Sequence, residues 1–261
     1  MTRHVVQMSG GIGSFWAAKR VAAEHGTDDL VLLFADTQVE DPDLYRFMDD
    51  ASAHLGVEPV VVADGRTPTE VFFDEHFLGN SRLAPCTKRL KQIPCRKWLE
   101  ANCDPADTVA YVGIDHAEQR RIPGVVKGWA PWRVEFPMNE APHWSKDRML
   151  DECRALGIAV PRLYDLGYEH NNCGGVCVRA GREQWLHTLE VFPERYAEAE
   201  RQEQEFRDHF GKDVSILTET VRGEKRPLTL AELRRRHGAG LIKRRRKKAQ
   251  PSLFDTAAVG C

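Results

Sequence analysis

The chain has 261 residues, 42% of them hydrophobic and 29% charged, with a formal net charge of −2 at pH 7. That balance suits one large globular domain, or one domain with an appendage, and no apolar run approaches the roughly 20 residues a bilayer crossing needs. The N-terminus lacks the zones of a signal peptide, so a cytoplasmic location is expected, and there the seven cysteines read as metal ligands or reactive thiols ahead of disulfides.

In chain order, the first predicted element is a short strand, His4 to Met8, followed by Ser9-Gly10-Gly11-Ile12-Gly13-Ser14 and a helix from Ser14 to about His25. A strand that ends in a Ser/Gly turn before a helix aims several backbone N–H groups at one point, and that geometry binds phosphate. No Gly-Lys-Ser/Thr follows, which excludes the Walker pattern. A Gly-rich turn without a ligand is the alternative. Leu30 to Ala35 is a continuous apolar run of the kind found in buried parallel strands. Asp41 to His54 reads as a helix with Pro42 in its first turn and Leu44, Phe47, Met48 and Ala51 at helical spacing. Val57 to Ala63 is a third strand and Val109 to Ile114 a fourth, with Gly113 near its end.

Strands alternating with helices predict an α/β fold, a doubly wound and mostly parallel sheet whose ligands sit at the carboxyl ends of the strands. Ser9, Asp36 and Gly113 fall at such ends, so one site can gather them. Asp36 and Thr37 stand immediately after a core strand, where a carboxylate and a hydroxyl can meet a nucleotide or its Mg²⁺. The other reading of Asp36 is a helix cap in a solvated loop.

Cys86 lies among Lys88, Arg89 and Lys91. Positive charge favours its thiolate, the form that attacks electrophiles or binds metal, and the same bases can pair with phosphates. A buried, inert thiol is the alternative. After the fourth strand, Glu118 and Arg121 can face one pocket if their segment is helical, and an arginine there suits phosphate or adenylate recognition. A surface ion pair fits the same spacing.

Ser145 can cap a helix running to Leu156, and a loop over residues 157–168 leads to Cys173-Gly-Gly-Val-Cys177. Two glycines between those cysteines let both sulfurs converge. With Cys86 they make three well-placed thiols, which fit an iron–sulfur cluster with one open iron better than a closed zinc site. His170 is either a fourth ligand or a loop hydrogen-bonder. Cys95, Cys103 and Cys153 sit in apolar or helical contexts and read as structural. Further helices are expected from about Ala180 to Leu189, Glu194 to His209 and Leu228 to Arg236, with no packed structure predicted from Gly238 onward. Basic residues crowd Arg234 to Arg236 and Lys243 to Lys248, a run that can neutralise nucleic-acid phosphates or simply be solvated.

These motifs, in this order over residues 4 to 180, resemble the phosphoadenosine-phosphosulfate reductase family of pyrophosphate-loop proteins, the adenine nucleotide α-hydrolases. Ser9 to Ser14 resembles the family's Ser-Gly-Gly-x-x-Ser loop. Asp36-Thr37 with Glu40 to Tyr45 resembles its Asp-Thr-Gly…Pro-Glu-Thr-Tyr. Cys86 with Lys91 and Pro94 resembles its Cys-Cys-x-x-x-Lys-x-x-Pro, and Gly113-Ile-Asp-x-x-Glu-x-x-Arg121 its Gly-Ile-Arg…Arg. Trp144 to Tyr168 resembles the approach to its second cysteine pair.

There are departures. The Cys-Cys pair is one cysteine followed by Thr87, the CxxC carries an extra residue, and the Glu-Cys-Gly-x-His tail is absent. Cys261, the last residue, is either a mobile nucleophile or inert. The three-cysteine set instead resembles iron–sulfur sulfurtransferases that thiolate tRNA, and related DNA phosphorothioation proteins.

The resemblance implies three segments: a nucleotide-binding α/β domain over 1–136, a helical and cysteine-loop region over 137–237, and a basic tail over 238–261. It implies ATP with Mg²⁺ held by Ser9, Gly10, Gly11, Gly13, Ser14, Asp36, Thr37 and Gly113. It further implies a cluster of the 4Fe-4S type on Cys86, Cys173 and Cys177, with Lys88, Lys91 and Arg121 stabilising charge beside Cys86. The expected activity is ATP-dependent thiolation of a nucleic acid or nucleotide, with an unidentified sulfur donor, no membrane partner and a homodimer left open. Sulfonucleotide reduction and a non-catalytic nucleic-acid-binding role are the alternatives.

Overall fold

The computed structural model describes residues 2–80 and 84–244; Arg245 to Lys248 and Cys261, part of the expected basic tail, lie outside the described residues. Five strands, β1 (Arg3–Gln7), β2 (Leu30–Asp36), β3 (Pro59–Ala63), β4 (Thr108–Val112) and β5 (Arg133–Glu135), form one parallel sheet in the order β3-β2-β1-β4-β5. The expected doubly wound α/β fold is therefore present. β5 was not expected: three residues, two of them charged, carry no apolar run to read.

Side chains alternate across the central strands, and this builds a core on each face. Val6, Leu32, Phe34 and Val109 pack under α1 (Ile12–His25), α2 (Pro42–Leu55) and α6 (Lys146–Ala155) through Phe15, Trp16, Phe47 and Met149. Their neighbours Val5, Leu33 and Ala35 face α4 (Ile93–Asn102) and α5 (Ile122–Trp129) through Cys95, Leu99 and Trp129. Burial on both faces explains why β1 and β2 read as apolar runs. The helices follow their local signals. Asp41 caps α2, accepting from the Asp43 N–H at 3.0 Å, with Pro42 in the first turn and Gly56 left-handed at the end.

A third core lies in the C-terminal half and takes in α3 (Pro68–Asp74). A four-residue turn, α7 (Arg162–Asp165), precedes it. It comprises α8 (Arg182–Val191), α9 (Pro193–Phe210), the antiparallel hairpin β6 (Leu217–Val221) and β7 (Glu224–Leu228), and α10 (Leu230–Gly238). Trp185, Tyr196 and Phe206 are almost wholly enclosed, each contributing about 1.5–3 kcal/mol by burial. Glu203 of α9 accepts from the N–H groups of Ile216 (2.7 Å) and Leu230 (2.6 Å), so one buried carboxylate ties hairpin and α10 to α9. Burial raises its carboxyl above the ordinary range despite the two amides.

The chain beyond Gly238 is packed further than its sequence suggested. Ile242 rests on the third core, its carbonyl lies 3.0 Å from His237 Nδ1, and Arg244 pairs with Glu190 at 2.8 Å. No helix among the described residues is long and apolar enough to cross a membrane.

Candidate functional site

The strand order changes direction between β1 and β4, and the loops after both strands meet there. Such a switch point opens a crevice at the carboxyl edge of a parallel sheet. The contact is backbone to backbone: a Cβ on Gly113 would lie 2.7 Å from the Gly13 carbonyl and the Ser14 nitrogen. Gly113 therefore lets the loop after β4 seat against the turn that starts α1. Gly113→Ala is expected to cost about 1–3 kcal/mol of stability by overpacking. Thermal melts check it, and an unchanged Tm would mean that the two loops are not packed backbone to backbone.

Within the turn, Ser14 Oγ accepts from the Ser9 N–H (3.1 Å) and Oγ (3.2 Å) and donates to the Gly11 carbonyl at 2.8 Å. No side chain caps α1. Ser14 and Phe15 N–H close on the Gly11 carbonyl at 3.1 and 3.2 Å, and Ile12 N–H donates to Tyr164 Oη at 3.2 Å. Asn171 Nδ2 donates to the Gly10 carbonyl at 2.8 Å while its own Oδ1 is buried without a partner. Tyr164 and Asn171 thus bound the turn from a distant part of the chain. Neither was singled out from sequence, because both lie more than 150 residues from Ser9. Asp36 ends β2, and its Oδ1 accepts from Gln38 N–H and Tyr45 Oη, both at 2.8 Å. It does not cap α2; Asp41 does.

Thr37 is enclosed and donates to Glu40 Oε1 at 3.0 Å. Glu40 is the junction of the site. With its side chain only 1% exposed, it also pairs with Lys91 Nζ at 3.1 Å and accepts from the Cys173 N–H. Its neighbour Asp41, equally enclosed, accepts from Arg162 through both oxygens (2.7 and 2.9 Å) and from Arg195 at 2.8 Å, and Arg195 donates also to the Gly174 carbonyl at 2.7 Å. Two adjacent carboxylates after β2 thereby hold the cysteine loop by an amide and a carbonyl. The loop needs that hold. Cys173 sits at φ 47° and Gly174 and Gly175 at 56° and 88°, and a non-glycine residue there costs about 1–2 kcal/mol.

The three expected thiols share one cavity of about 480 Å³, whose walls bring Cys86, Cys173 and Cys177 together with the Val39–Glu40 segment and the apolar faces of α3 and α9. Hydrogen bonding with Cys177, then burial, holds the Cys173 thiol well above its ordinary value. The same bond pulls Cys177 below it against burial, helped by the Arg179 amide and Lys91. Burial, then the negative Cys177, raises Cys86. Burial pushes Lys91 down, but Glu40 and the cysteine pair outweigh it, and Lys91 stays charged.

Among the described residues, no three His, Cys, Asp or Glu side chains are grouped to hold a single metal ion. A polynuclear cluster asks for a different arrangement, since each thiolate binds its own iron. Three thiols lining one cavity, one acidified, fit that donor chemistry. His170 is exposed and does not line the thiol cavity. Burial holds Cys95 at about 12 and Cys153 at about 11, as structural cysteines should be.

Lys88 and Arg121 stand elsewhere, on a second cavity that neither the Ser9–Ser14 turn nor any of the three thiols lines. Arg121 pairs with Glu118 at 2.7 Å in an exposed 3₁₀ turn, the surface ion pair that the spacing also allowed.

No family model matches the chain, and no curated protein matches it. Among solved structures, the chain is similar to a phosphoadenylyl-sulfate (PAPS) reductase from Candida auris, in a phosphate complex. The identity is 15%, the match covers 64% of this chain and 80% of that one, and the TM-score is 0.45.

Proposed function

We propose that this chain is an ATP-dependent sulfurtransferase that adenylates an oxygen of a nucleic acid or nucleotide and replaces it with sulfur. The observation that carries the reading is Glu40. One buried carboxylate touches Thr37 at the edge of the sheet, Lys91, and the amide of Cys173, so the nucleotide crevice and the thiol cavity are mechanically one site.

The N-terminal amides of α1 and the Ser9 and Ser14 hydroxyls would hold the pyrophosphate of ATP. Asp36, at the end of β2, would share Mg²⁺ with those phosphates. The acceptor oxygen attacks the α-phosphorus, pyrophosphate leaves, and the oxygen becomes part of AMP, a good leaving group. Displacement of AMP by a sulfur nucleophile completes the exchange. Lys91 keeps its charge between Glu40 and the cysteine pair, where it stabilises thiolate and the negative charge of the displacement. Cys86, Cys173 and Cys177 would hold an iron–sulfur cluster, which supplies an iron with an open coordination position.

Sulfonucleotide reduction is the second reading, favoured by the shared proton of Cys173 and Cys177, which suits a redox dithiol. The two part in one assay on protein prepared without oxygen. ATP, labelled sulfide and an RNA or DNA acceptor should release pyrophosphate and put label into the acceptor. Phosphoadenosine phosphosulfate with a thioredoxin-like reductant should then yield no sulfite. Sulfite without label transfer would overturn the sulfurtransferase in favour of the reductase, and neither product would leave a binding protein.

A further inference from the structure

Besides the thiol cavity there is a second concavity of about 610 Å³, formed where the segment around Lys88, the turn before α5 and the turn that leaves the cysteine loop at Arg179 meet. Its lining carries five cations, Lys88, Arg96, Arg120, Arg121 and Arg179, and no carboxylate. Two of the five are committed. Arg96 donates to the Gly128 and Ala130 carbonyls at 2.6 and 3.0 Å and lies against Trp132, forming the floor. Arg121 is paired with Glu118. Lys88, Arg120 and Arg179 are exposed and have no carboxylate partner among the described residues.

Three like charges facing one hollow from three separate segments repel one another, and a fold gains nothing by collecting them unless an anion is shared. One phosphate satisfies one or two such groups. Three, with a fourth in reserve on Arg121, match a ligand that carries charges in a row.

The hollow shares both of its flanks with the thiol cavity. Cys86 faces the thiols while Lys88, two residues on, faces the cations. Cys177 lines the thiol cavity while Arg179, two residues on, lines the basic hollow. A chain-like anion lying across Lys88 and Arg179 passes beside Cys86 and Cys177.

We propose that this hollow docks the phosphodiester backbone of a nucleic-acid acceptor and delivers the nucleotide to be modified to the thiol cavity. The proposal rests on the sulfurtransferase reading above and names its acceptor as a polymer rather than a free nucleotide. It also moves the main contact away from the C-terminal basic run.

The test uses the full chain, prepared without oxygen, and a fluorescent single-stranded oligonucleotide titrated by anisotropy at several salt concentrations. In K88E/R120E/R179E the slope of log affinity against log salt should fall by about 2, near 0.7 per lost phosphate contact, and affinity at about 0.1 M salt should drop at least about tenfold. The Gln versions should give an intermediate loss. K225E/R226E changes charge on the hairpin, away from the hollow, and should leave the slope near wild type. An unchanged slope in the triple variant overturns the proposal. So does a slope lost only when Arg245 to Lys248 are reversed, or displacement of the oligonucleotide by tripolyphosphate at equal total charge. Iron content of the wild-type preparation separates this from the function it rests on. Iron with an unchanged slope removes the docking site alone, whereas a reduced slope in iron-free protein keeps the docking site and removes the cluster enzyme.

Discussion

Asp41→Ala is expected to lower the stability of the chain by about 2–3 kcal/mol, which for a domain of this size is a fall in Tm of about 5–10 °C. The magnitude follows from what the carboxylate leaves behind. Removing one partner of a fully enclosed ion pair costs about 3–5 kcal/mol. Here the carboxylate is 1% exposed, but the Arg162 and Arg195 side chains are 46% and 29% exposed, so water recovers part of the loss. Arg195 would still hold the Gly174 carbonyl but would no longer be held itself.

The effect should also depend on pH. Burial pushes the Asp41 carboxyl up, and its bonds to Arg162 and Arg195 more than reverse this, leaving it below the ordinary carboxylate range. A depressed folded-state value contributes stability above the unfolded value, about 3.9, and loses it as pH falls through the folded value. The gap in stability between wild type and Asp41→Asn should therefore be full at neutral pH and close in acid. Urea denaturation at pH 7 and at about pH 3 measures it. A gap that stays constant would mean that the two arginines do not hold the charge.

What the sequence made legible follows from distance along the chain. The strand–turn–helix at Ser9, the run at Leu30 and the helix from Asp41 are encoded by neighbours, and all three stand within a residue or two of their expected bounds. Capping and period-2 burial act over a few residues, so one window holds their whole signal. α3 had such a signal too, the capping box of Thr67 and Glu70, and it went unread. The hairpin turn at Arg222-Gly223, both left-handed, is short and polar on either side and gives periodicity little to work on.

The candidate site is different in kind. Its cysteines were visible as residue types, but the bonds that arrange them span 133 residues from Glu40 to Cys173 and 154 from Asp41 to Arg195. Lys88 and Lys91 show the same limit. Three residues apart in a basic stretch, they were read as one group, and the π-helical turn over Thr87–Gln92 sends Lys91 to Glu40 and Lys88 to the other cavity. A spacing of three is one face in an α-helix; in the wider π-turn it is not.

Cys173→Ser is expected to reduce iron from about four atoms per chain to below about one in protein prepared without oxygen, with acid-labile sulfide falling in step. Serine keeps a hydroxyl of similar size, so the Glu40 bond to the residue 173 amide and the left-handed turn survive, and the loss reports the missing sulfur rather than a collapsed loop. A cluster on three protein thiolates has no spare ligand, which is why one substitution should remove it. Iron-free protein offers a second readout of the same sulfurs. The Cys173 hydrogen bond holds Cys177 below the ordinary thiol range, near 8.5, while Cys86, Cys95 and Cys153 are held above theirs. Iodoacetamide at pH 7 should then label Cys177 ahead of these three. Cys173→Ala, which removes the donor, should move that labelling to higher pH, while Cys173→Ser, whose hydroxyl can still donate, should move it less. Full iron in Cys173→Ser would sink the three-thiol cluster. Absent iron in the wild type together with a fast Cys177 would leave the acidified dithiol as the reacting group, and with it the reductase chemistry: the thiolate attacks the sulfur of a phosphosulfate, the S–O bond breaks with the nucleotide phosphate leaving, and the partner thiol then attacks the thiosulfonate, forming a disulfide and releasing sulfite.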